Sequence, residues 1–347
     1  METVDLAIIG GGQSGLSTAH IARGMGITPV VLEAADHAVG SWPHYYDSLS
    51  LFSPARFSAL PGTPFPGDPW RYPTRDEVVA YLRDYAAALD ADIRTRTRVA
   101  SVAPTRNSLA ITTEDGAKLL AKRVIAATGG FGRPHRPDLP DIETFTGRVL
   151  HAADYTTPKD FAGMRVIVVG AGNSAVQIAA DLGPHARATL TTRGPLKWMP
   201  QRIAGRDFHW WTIRSGLDTS ALGAKLQAGK TMAVIDDGRY KTALASGNPD
   251  HRPMFTHLSH DSVTWTDRIT ENIDAIILAT GYRPDLPYLA GTDALDGGGL
   301  PIHRKGVSTT VRGLGYVGLE YQRSLASASL RGSWRDAKYV LKRLPGS

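Results

Sequence analysis

Two glycine-rich turns in this 347-residue chain are followed, at the same offset, by residues of opposite charge. The first turn is Gly10-Gly11-Gly12-Gln13-Ser14-Gly15, and the charged residue downstream of it is Glu33. The second is Gly170-Ala171-Gly172-Asn173-Ser174-Ala175, and its counterpart is Arg193. Glycines at such spacing permit a tight turn and let backbone amides approach a pyrophosphate. A carboxylate beyond the turn accepts hydrogen bonds from a ribose diol and repels a 2′-phosphate, which suits the adenosine ribose of FAD or NAD. A guanidinium matches a phosphate by charge and by paired donors, which favours NADPH over NADH. The pattern implies two dinucleotide sites of different preference: a flavin nucleotide first, a nicotinamide nucleotide second. A solvated surface Arg is the plainer reading of Arg193.

Each turn needs a strand before it and a helix after it. Val4–Ile9 is a short apolar run of the kind found in buried parallel strands, Leu16–Arg23 is helical in pattern, and Val30–Leu32 is a second strand that ends at Glu33. The plan repeats with Arg165–Val169, Ser174–Leu182 and Ala188–Thr192. In both cases the helix N-terminus supplies amides and a favourable dipole for phosphates. Both halves also close alike, on Val124-Ile125-Ala126-Ala127-Thr128-Gly129 and Ile276-Ile277-Leu278-Ala279-Thr280-Gly281. Gly129 and Gly281 stand where a returning backbone passes close to a ligand.

The length suggests two domains, and the apolar and charged fractions, 42% and 21%, are those of an ordinary globular protein. The formal charge of +6 is scattered, without a basic run interleaved with aromatics, so nucleic acid is not an expected partner. The chain holds no apolar run long enough to span a bilayer and enters its first strand within a few residues, with no room for a signal peptide. A cytoplasmic location is the expectation, with no membrane association and a homodimer left open. The cysteine count is zero, which removes disulfides, zinc–thiolate sites and any dithiol relay among these residues. Eleven dispersed histidines, with His257 and His260 the closest pair on a loop, predict no metal site.

Between the motifs, Pro43, Pro54, Pro61, Pro64, Pro66, Pro69 and Pro73 predict an irregular cover over a cofactor. Thr74-Arg75-Asp76-Glu77 is a capping box that opens a helix to about Leu89, with Val78, Leu82, Tyr85 and Leu89 on one face. Strands are expected near Val99–Val102, Leu109–Thr113 and Lys122–Ala127, with Asp115-Gly116 as a hairpin turn. The aromatic, basic stretch from Lys197 to Trp211 walls a substrate channel or serves packing or a subunit contact. Near the end, Gly315–Leu319 reads as a strand. A helix is expected from about Ser324, with a stripe of Leu330, Trp334, Ala337 and Leu341, its N-terminus either facing the flavin or simply covering the domain.

Phe145-Thr146-Gly147-Arg148-Val149-Leu150-His151-Ala152-Ala153-Asp154-Tyr155 resembles the identifying pattern of the flavin-containing monooxygenases, and the resemblance covers nearly the whole chain. Ala279-Thr280-Gly281-Tyr282 is similar to that family's later motif and Gly40-Ser41-Trp42 to its early Gly-x-Trp, while Leu51–Gly62 resembles a compact bacterial branch, some of it associated with arsenic-resistance operons. The resemblance implies an α/β fold of two Rossmann-like three-layer domains. The NADPH domain, 156–284, is inserted into an FAD domain made of 1–155 and 285–347. It implies that Trp42, Thr128, Gly129, Thr280 and Gly281 serve cofactor binding beside Gly10, Gly12, Gln13, Ser14, Gly15, Glu33, Gly170, Gly172, Asn173, Ser174 and Arg193. Its spacing does not mark His151 as a general base; by the same resemblance its segment links the two domains and helps to position NADP.

The implied reaction is reduction of FAD by NADPH, formation of a C4a-(hydro)peroxyflavin with dioxygen, and transfer of one oxygen to a small soft nucleophile (sulfur, nitrogen or trivalent arsenic) or to a carbonyl. The sequence departs from the family at Phe52, where many members carry an Asn whose amide orients a peroxide or bound NADP. Ser53 is the candidate to replace it. That departure keeps a second reading open: an NADPH oxidase or diaphorase that releases hydrogen peroxide or reduces a quinone. A third reading is a non-catalytic sensor that holds both nucleotides.

Overall fold

A computed structural model of the protein describes residues 1–227 and 233–345. Strand β1 (Glu2–Ile9) lies between β2 (Pro29–Leu32) and the long β6 (Lys118–Ala126), parallel to both. β3 (Asp92–Arg94) extends the sheet beyond β2, and Leu314–Tyr316 pairs with β6 on the other side. Alternation along β1 sorts its side chains. Leu6 and Ile8 pack with Ala19 and Ala22 of α1 (Gln13–Gly24), while Ala7 and Ile9 join Val102, Leu109 and Ile111 on the opposite face. That second face is covered by β4 (Val99–Pro104) and β5 (Leu109–Thr113), an antiparallel hairpin continued by the first half of β6. β6 therefore begins earlier than its apolar run, at Lys118, because Lys118–Ala121 pairs with β5 before Leu119–Ala126 pairs with β1.

The second sheet is five-stranded and parallel. Its order is Asp250–Pro253, Arg187–Thr192, Arg165–Val169, Ala275–Leu278 and Arg148–His151. Val166 and Val168 face α3 (Asn173–Leu182). Ile167 and Val169 face a three-stranded antiparallel layer that carries Leu258 and Val263. Both sheets thus sit between helices and an antiparallel layer, the arrangement expected of a mixed α/β, Rossmann-like fold. Two chain segments cross between the sheets, and they pair with each other: Arg133–Pro134 runs antiparallel to Tyr282–Arg283.

The capping box forms as predicted. Thr74 Oγ1 accepts the Glu77 amide, and Glu77 Oε2 accepts the Thr74 amide, at the head of α2 (Arg75–Ala88). Val78, Tyr81, Leu82 and Tyr85 are its buried face. Residues 40–73 are irregular apart from two short 3-10 turns. The short helices α4 (Phe208–Arg214), α5 (Ala221–Gln227) and α6 (Arg239–Ala245) decorate the second unit.

One helix expectation needs correction. The C-terminal helix α7 (Ser333–Leu341) starts well after Ser324. Ser327 Oγ accepts the amides of Arg323 and Ser324 at 3.0 Å, and Ser329 donates its hydroxyl to the Ala326 carbonyl. Serine hydroxyls satisfy that backbone in turns, in competition with a helix. Leu330 is buried outside the helix, Trp334 is only half-buried, and Ala337, Val340 and Leu341 make the contact with α1.

Candidate functional site

The first glycine turn joins β1 to α1. Gly10 has φ +102°, and a Cβ there would lie 3.0 Å from the Ala127 carbonyl. A Cβ on Gly15 would lie 1.8 Å from the Gly10 carbonyl, so α1 can approach the turn only because that position is glycine. Gly12 is the N-cap, and no side chain caps the helix, which leaves its first-turn amides open to an external anion. Gly40 faces Gly12 backbone to backbone, its own Cβ position 2.8 Å from Gly12 Cα. Glu33 is buried at the end of β2, its Oε2 accepting the Gly11 amide at 2.5 Å and its Oε1 the Ala35 amide at 2.8 Å. These bonds aim the carboxylate into the turn, with lone pairs remaining for a diol.

Residues around this cradle are tied to it. Trp42 donates its indole N–H to Gln13 Oε1 at 2.9 Å, and Gln13 Nε2 reaches the Ala328 carbonyl at 3.4 Å. Gln13 thus meets the C-terminal segment at the loop around Ala328, while Ser17, one turn further along α1, lies 2.9 Å from the Ser333 hydroxyl at the start of α7. Ser14 is buried, and a Cβ on Gly318 would lie 2.3 Å from its Oγ. Thr128 Oγ1 lies 3.1 Å from the Tyr288 hydroxyl. Gly129 has φ +78° and open space where a Cβ would point.

The second turn repeats this geometry. Gly170 has φ +150°, and a Cβ there would lie 2.3 Å from the Ala279 carbonyl. Gly172 is the N-cap of α3, again without a side-chain cap and with open space at its Cβ position. Asn173 Oδ1 accepts the Ile235 amide at 3.0 Å, and Ser174 hydrogen-bonds with the Tyr46 hydroxyl. Arg193 leaves the end of Arg187–Thr192 exposed, with neither a hydrogen bond nor an ion pair among the described residues. A guanidinium with its donors unused at this place is equipped for a phosphate.

His151 sits between the cradles. It is fully buried, its Nδ1 accepts the Ala153 amide at 3.1 Å, and its Nε2 donates to the Gly281 carbonyl at 3.0 Å. Both nitrogens are used, and burial pushes the imidazole below its ordinary value, so the ring is neutral and has no lone pair to offer as a base. It pins the end of one strand to the Thr280-Gly281 crossing, where Gly281 has φ +86° and Thr280 Oγ1 donates to the His135 carbonyl.

Ser53 and Phe52 lie in the cover. Ser58 donates to backbone carbonyls of Ser53 and Pro54, so the Ser53 hydroxyl, 2.9 Å from Ser58 Oγ, donates inward to it. Its proton is spent on the loop. The Phe52 ring is part exposed and stacks on His209. Sequence reasoning missed the polar group beneath it: His209, Gln201 and Tyr72 all bond to Asp207 where the cover meets residues 201–209. The available signal was Asp207 itself, an N-cap residue before the aromatic run of α4.

The profile of the family described as pyridine nucleotide-disulphide oxidoreductase matches residues 7–202. An uncharacterized CzcO-like oxidoreductase of Geobacillus kaustophilus is 33% identical over 97% of each chain. The indole-3-pyruvate monooxygenase YUCCA1 of rice, Oryza sativa, is 31% identical over 81% of this chain and 77% of its own. The structure of a flavin-containing monooxygenase from Stenotrophomonas maltophilia superposes with a TM-score of 0.87 at 32% identity, covering 99% of this chain and 98% of that one. These 347 residues hold no cysteine, so none of them forms the dithiol after which the wider family is named. Two uncapped helix N-termini behind glycine turns, one beside a carboxylate and one beside a guanidinium, fit a flavin and a nicotinamide dinucleotide. The chain belongs to the pyridine nucleotide-disulphide oxidoreductase family and, within it, to the class B flavoprotein monooxygenases, oxidoreductases whose cofactors are FAD and NADPH.

Proposed function

We propose that the chain is an NADPH-dependent FAD monooxygenase that oxygenates a small soft nucleophile, at sulfur, nitrogen or trivalent arsenic, or a carbonyl. FAD would lie on the first cradle, its pyrophosphate on the amides of Gly12, Gln13, Ser14 and Gly15 and its adenosine ribose on Glu33. Trp42, Thr128 and Gly129 would border it. NADPH would lie on the second, its pyrophosphate on Gly172, Asn173 and Ser174 behind Gly170, and its 2′-phosphate on Arg193. Thr280, Gly281 and His151 would line its path towards the flavin. The proposed units are 1–155 with 285–347 for FAD and 156–284 for NADPH.

When bound, FAD supplies hydride acceptance and dioxygen activation; this chain's residues bind, orient and exclude water. The observation that carries the reading is the pairing of two open helix N-termini with opposite charges at matched positions, Glu33 and Arg193.

A second reading, an NADPH oxidase that loses the oxygen as hydrogen peroxide, is favoured by the phenyl ring of Phe52 and by the inward-turned hydroxyl of Ser53. One experiment separates the two. The purified protein is reduced with NADPH without oxygen, then turned over in air with thioethers, amines, ketones and trivalent arsenicals while NADPH, product and peroxide are counted. Bleaching followed by substrate-dependent product supports the monooxygenase. Peroxide equal to the NADPH consumed, whatever the substrate, supports the oxidase. Protein that never bleaches contradicts both and leaves the sensor.

A further inference from the structure

Where the proline-rich cover meets residues 201–209, behind Phe52, a carboxylate and an imidazole form a pair that neither cradle uses. Asp207 and His209 are 4% and 2% exposed. Asp207 Oδ1 accepts the His209 amide at 2.7 Å and the His209 Nδ1–H at 2.9 Å. Its Oδ2 accepts the Tyr72 hydroxyl at 2.7 Å and Gln201 Nε2 at 2.7 Å. The same Gln201 nitrogen donates to the Phe52 carbonyl at 3.0 Å, and the Phe52 ring stacks on His209 with centroids 6.0 Å apart and planes 21° apart. One carboxylate thus gathers four donors. Through them it ties residues 52 and 72 of the proline-rich cover to residues 201–209, which follow the nucleotide-carrying strand Arg187–Thr192.

The charges around the pair hold it in one state. Burial raises the Asp207 carboxyl, but the bonds from His209, Tyr72 and Gln201 outweigh it and keep the group below the usual carboxylate range. Burial lowers the His209 imidazole against the pull of Asp207; Arg331 lowers it further, and Asp218, ion-paired with Arg331 at 2.7 Å, raises it. The Tyr72 hydroxyl is pushed up to about 12 by burial and by Asp207, with Arg202 opposing. An ionised carboxylate only accepts, so the shared proton is on His209 Nδ1. Protonation would add an N–H at Nε2, which has no acceptor among the described residues.

We propose that Asp207 is a positioning residue for the redox reaction: through His209 and Gln201 it fixes Phe52 and holds the cover against residues 201–209, and so sets how much of the consumed NADPH ends as oxygenated product rather than as free peroxide. The proposal rests on the monooxygenase reading above. Oxygenation consumes NADPH, one proton and O2 and yields NADP+, oxygenated product and water; the leak yields NADP+ and H2O2 from the same inputs.

The test is Asp207→Asn, which places an amide against the Tyr72 and Gln201 donors and removes the charge that holds His209. Hydrogen exchange of residues 50–58 in the protein as purified should rise about tenfold, the effect of one lost charge-assisted bond, while exchange in α3 stays unchanged. The peroxide fraction should rise, with KM for NADPH within about twofold of the parent, since the change affects positioning and not cofactor affinity. In the parent the peroxide fraction should climb as pH falls below the ordinary imidazole range, and in Asp207→Asn that pH dependence should flatten; a merely structural role would leave the profile's shape alone. If Asp207→Asn does not fold, Tyr72→Phe removes one donor and should move exchange and peroxide in the same direction. Unchanged exchange, or raised exchange with an unchanged peroxide fraction, overturns the proposal. If the parent's flavin is not reduced by NADPH, the monooxygenase reading fails by itself, and exchange still decides whether the latch exists.

Discussion

Arg193 and Glu33 occupy equivalent places in the two units, yet the structure treats them differently. Glu33 is buried and bonded to two amides, whereas Arg193 is exposed and keeps its donors. A pre-aimed carboxylate loses little freedom on binding a diol; an exposed guanidinium gains its partner only when a phosphate arrives. Arg193→Ala is therefore expected to raise KM for NADPH about ten- to a hundredfold, the size of a charged hydrogen-bond pair, with little change for NADH. Steady-state kinetics with both nucleotides check this, and equal effects would remove Arg193 from phosphate recognition. Ser53 carries the opposite expectation. Its hydroxyl already belongs to Ser58, so Ser53→Ala should cost about 1 kcal/mol of stability and leave the product-to-peroxide ratio as it was. A collapse of that ratio, with the denaturation midpoint unmoved, would restore Ser53 to the reaction.

At the scale of elements, the strand–turn–helix unit is held together by what cannot be added to it. An Ala at position 15 would put a methyl 1.8 Å from the Gly10 carbonyl, and a Val at position 12 would drive a branched side chain towards Gly40, whose Cα lies 3.2 Å from the first added carbon. The first change must push α1 away from the turn and the second must displace the Gly40 segment from over the open amides, each with an overpacking cost of about 1–3 kcal/mol. Gly15→Ala and Gly12→Val should both purify without flavin colour, and a yellow Gly12→Val protein would show that the cradle tolerates a side chain. This unit was legible in the sequence because its constraints are local: an apolar run, glycines at fixed spacing, a charged residue at the next strand's end. The capping box of α2 and the Asp115-Gly116 turn were legible for the same reason. The start of α7 was not, because serine-to-backbone bonds in residues 323–329 compete with a helix that the apolar stripe alone would extend. Nor was the cluster under Phe52, since Phe52, Tyr72, Gln201 and Asp207 meet only once the two sheets are assembled.

The molecule as a whole is two sheets joined by a ribbon, with one buried histidine bracing the crossing at Gly281 and another behind the proline-rich cover. His151 bonds to the crossing at Gly281; His209 stands with Asp207 behind the cover. No described helix is long and apolar enough to cross a membrane. Burial holds both imidazoles below their ordinary value. Below about pH 6.5, where an unfolded imidazole takes up a proton, the folded chain refuses it, and protons then favour unfolding. The stability these groups permit is complete above that pH and is lost as pH falls through it. The native-state bonds of Glu77 and Glu271, whose carboxyls sit below their ordinary value by virtue of the Thr74 amide and of Arg165 respectively, give way only in the more acid carboxylate range. Two separate acid steps are therefore expected. The urea midpoint should drop between pH 7.5 and 5.5, before the carboxyls of Glu77 and Glu271 titrate, and His209→Phe, which keeps a ring under Phe52 but cannot take up a proton, should shrink that first drop. Because one histidine braces the crossing and the other stands behind the cover, hydrogen exchange at pH 5.5 should rise first at residues 50–58 and 280–283, while β1 and Arg165–Val169 stay protected. A midpoint that is flat across this range, or exchange that rises evenly over both sheets, would mean that these two rings do not brace the crossing and the cover.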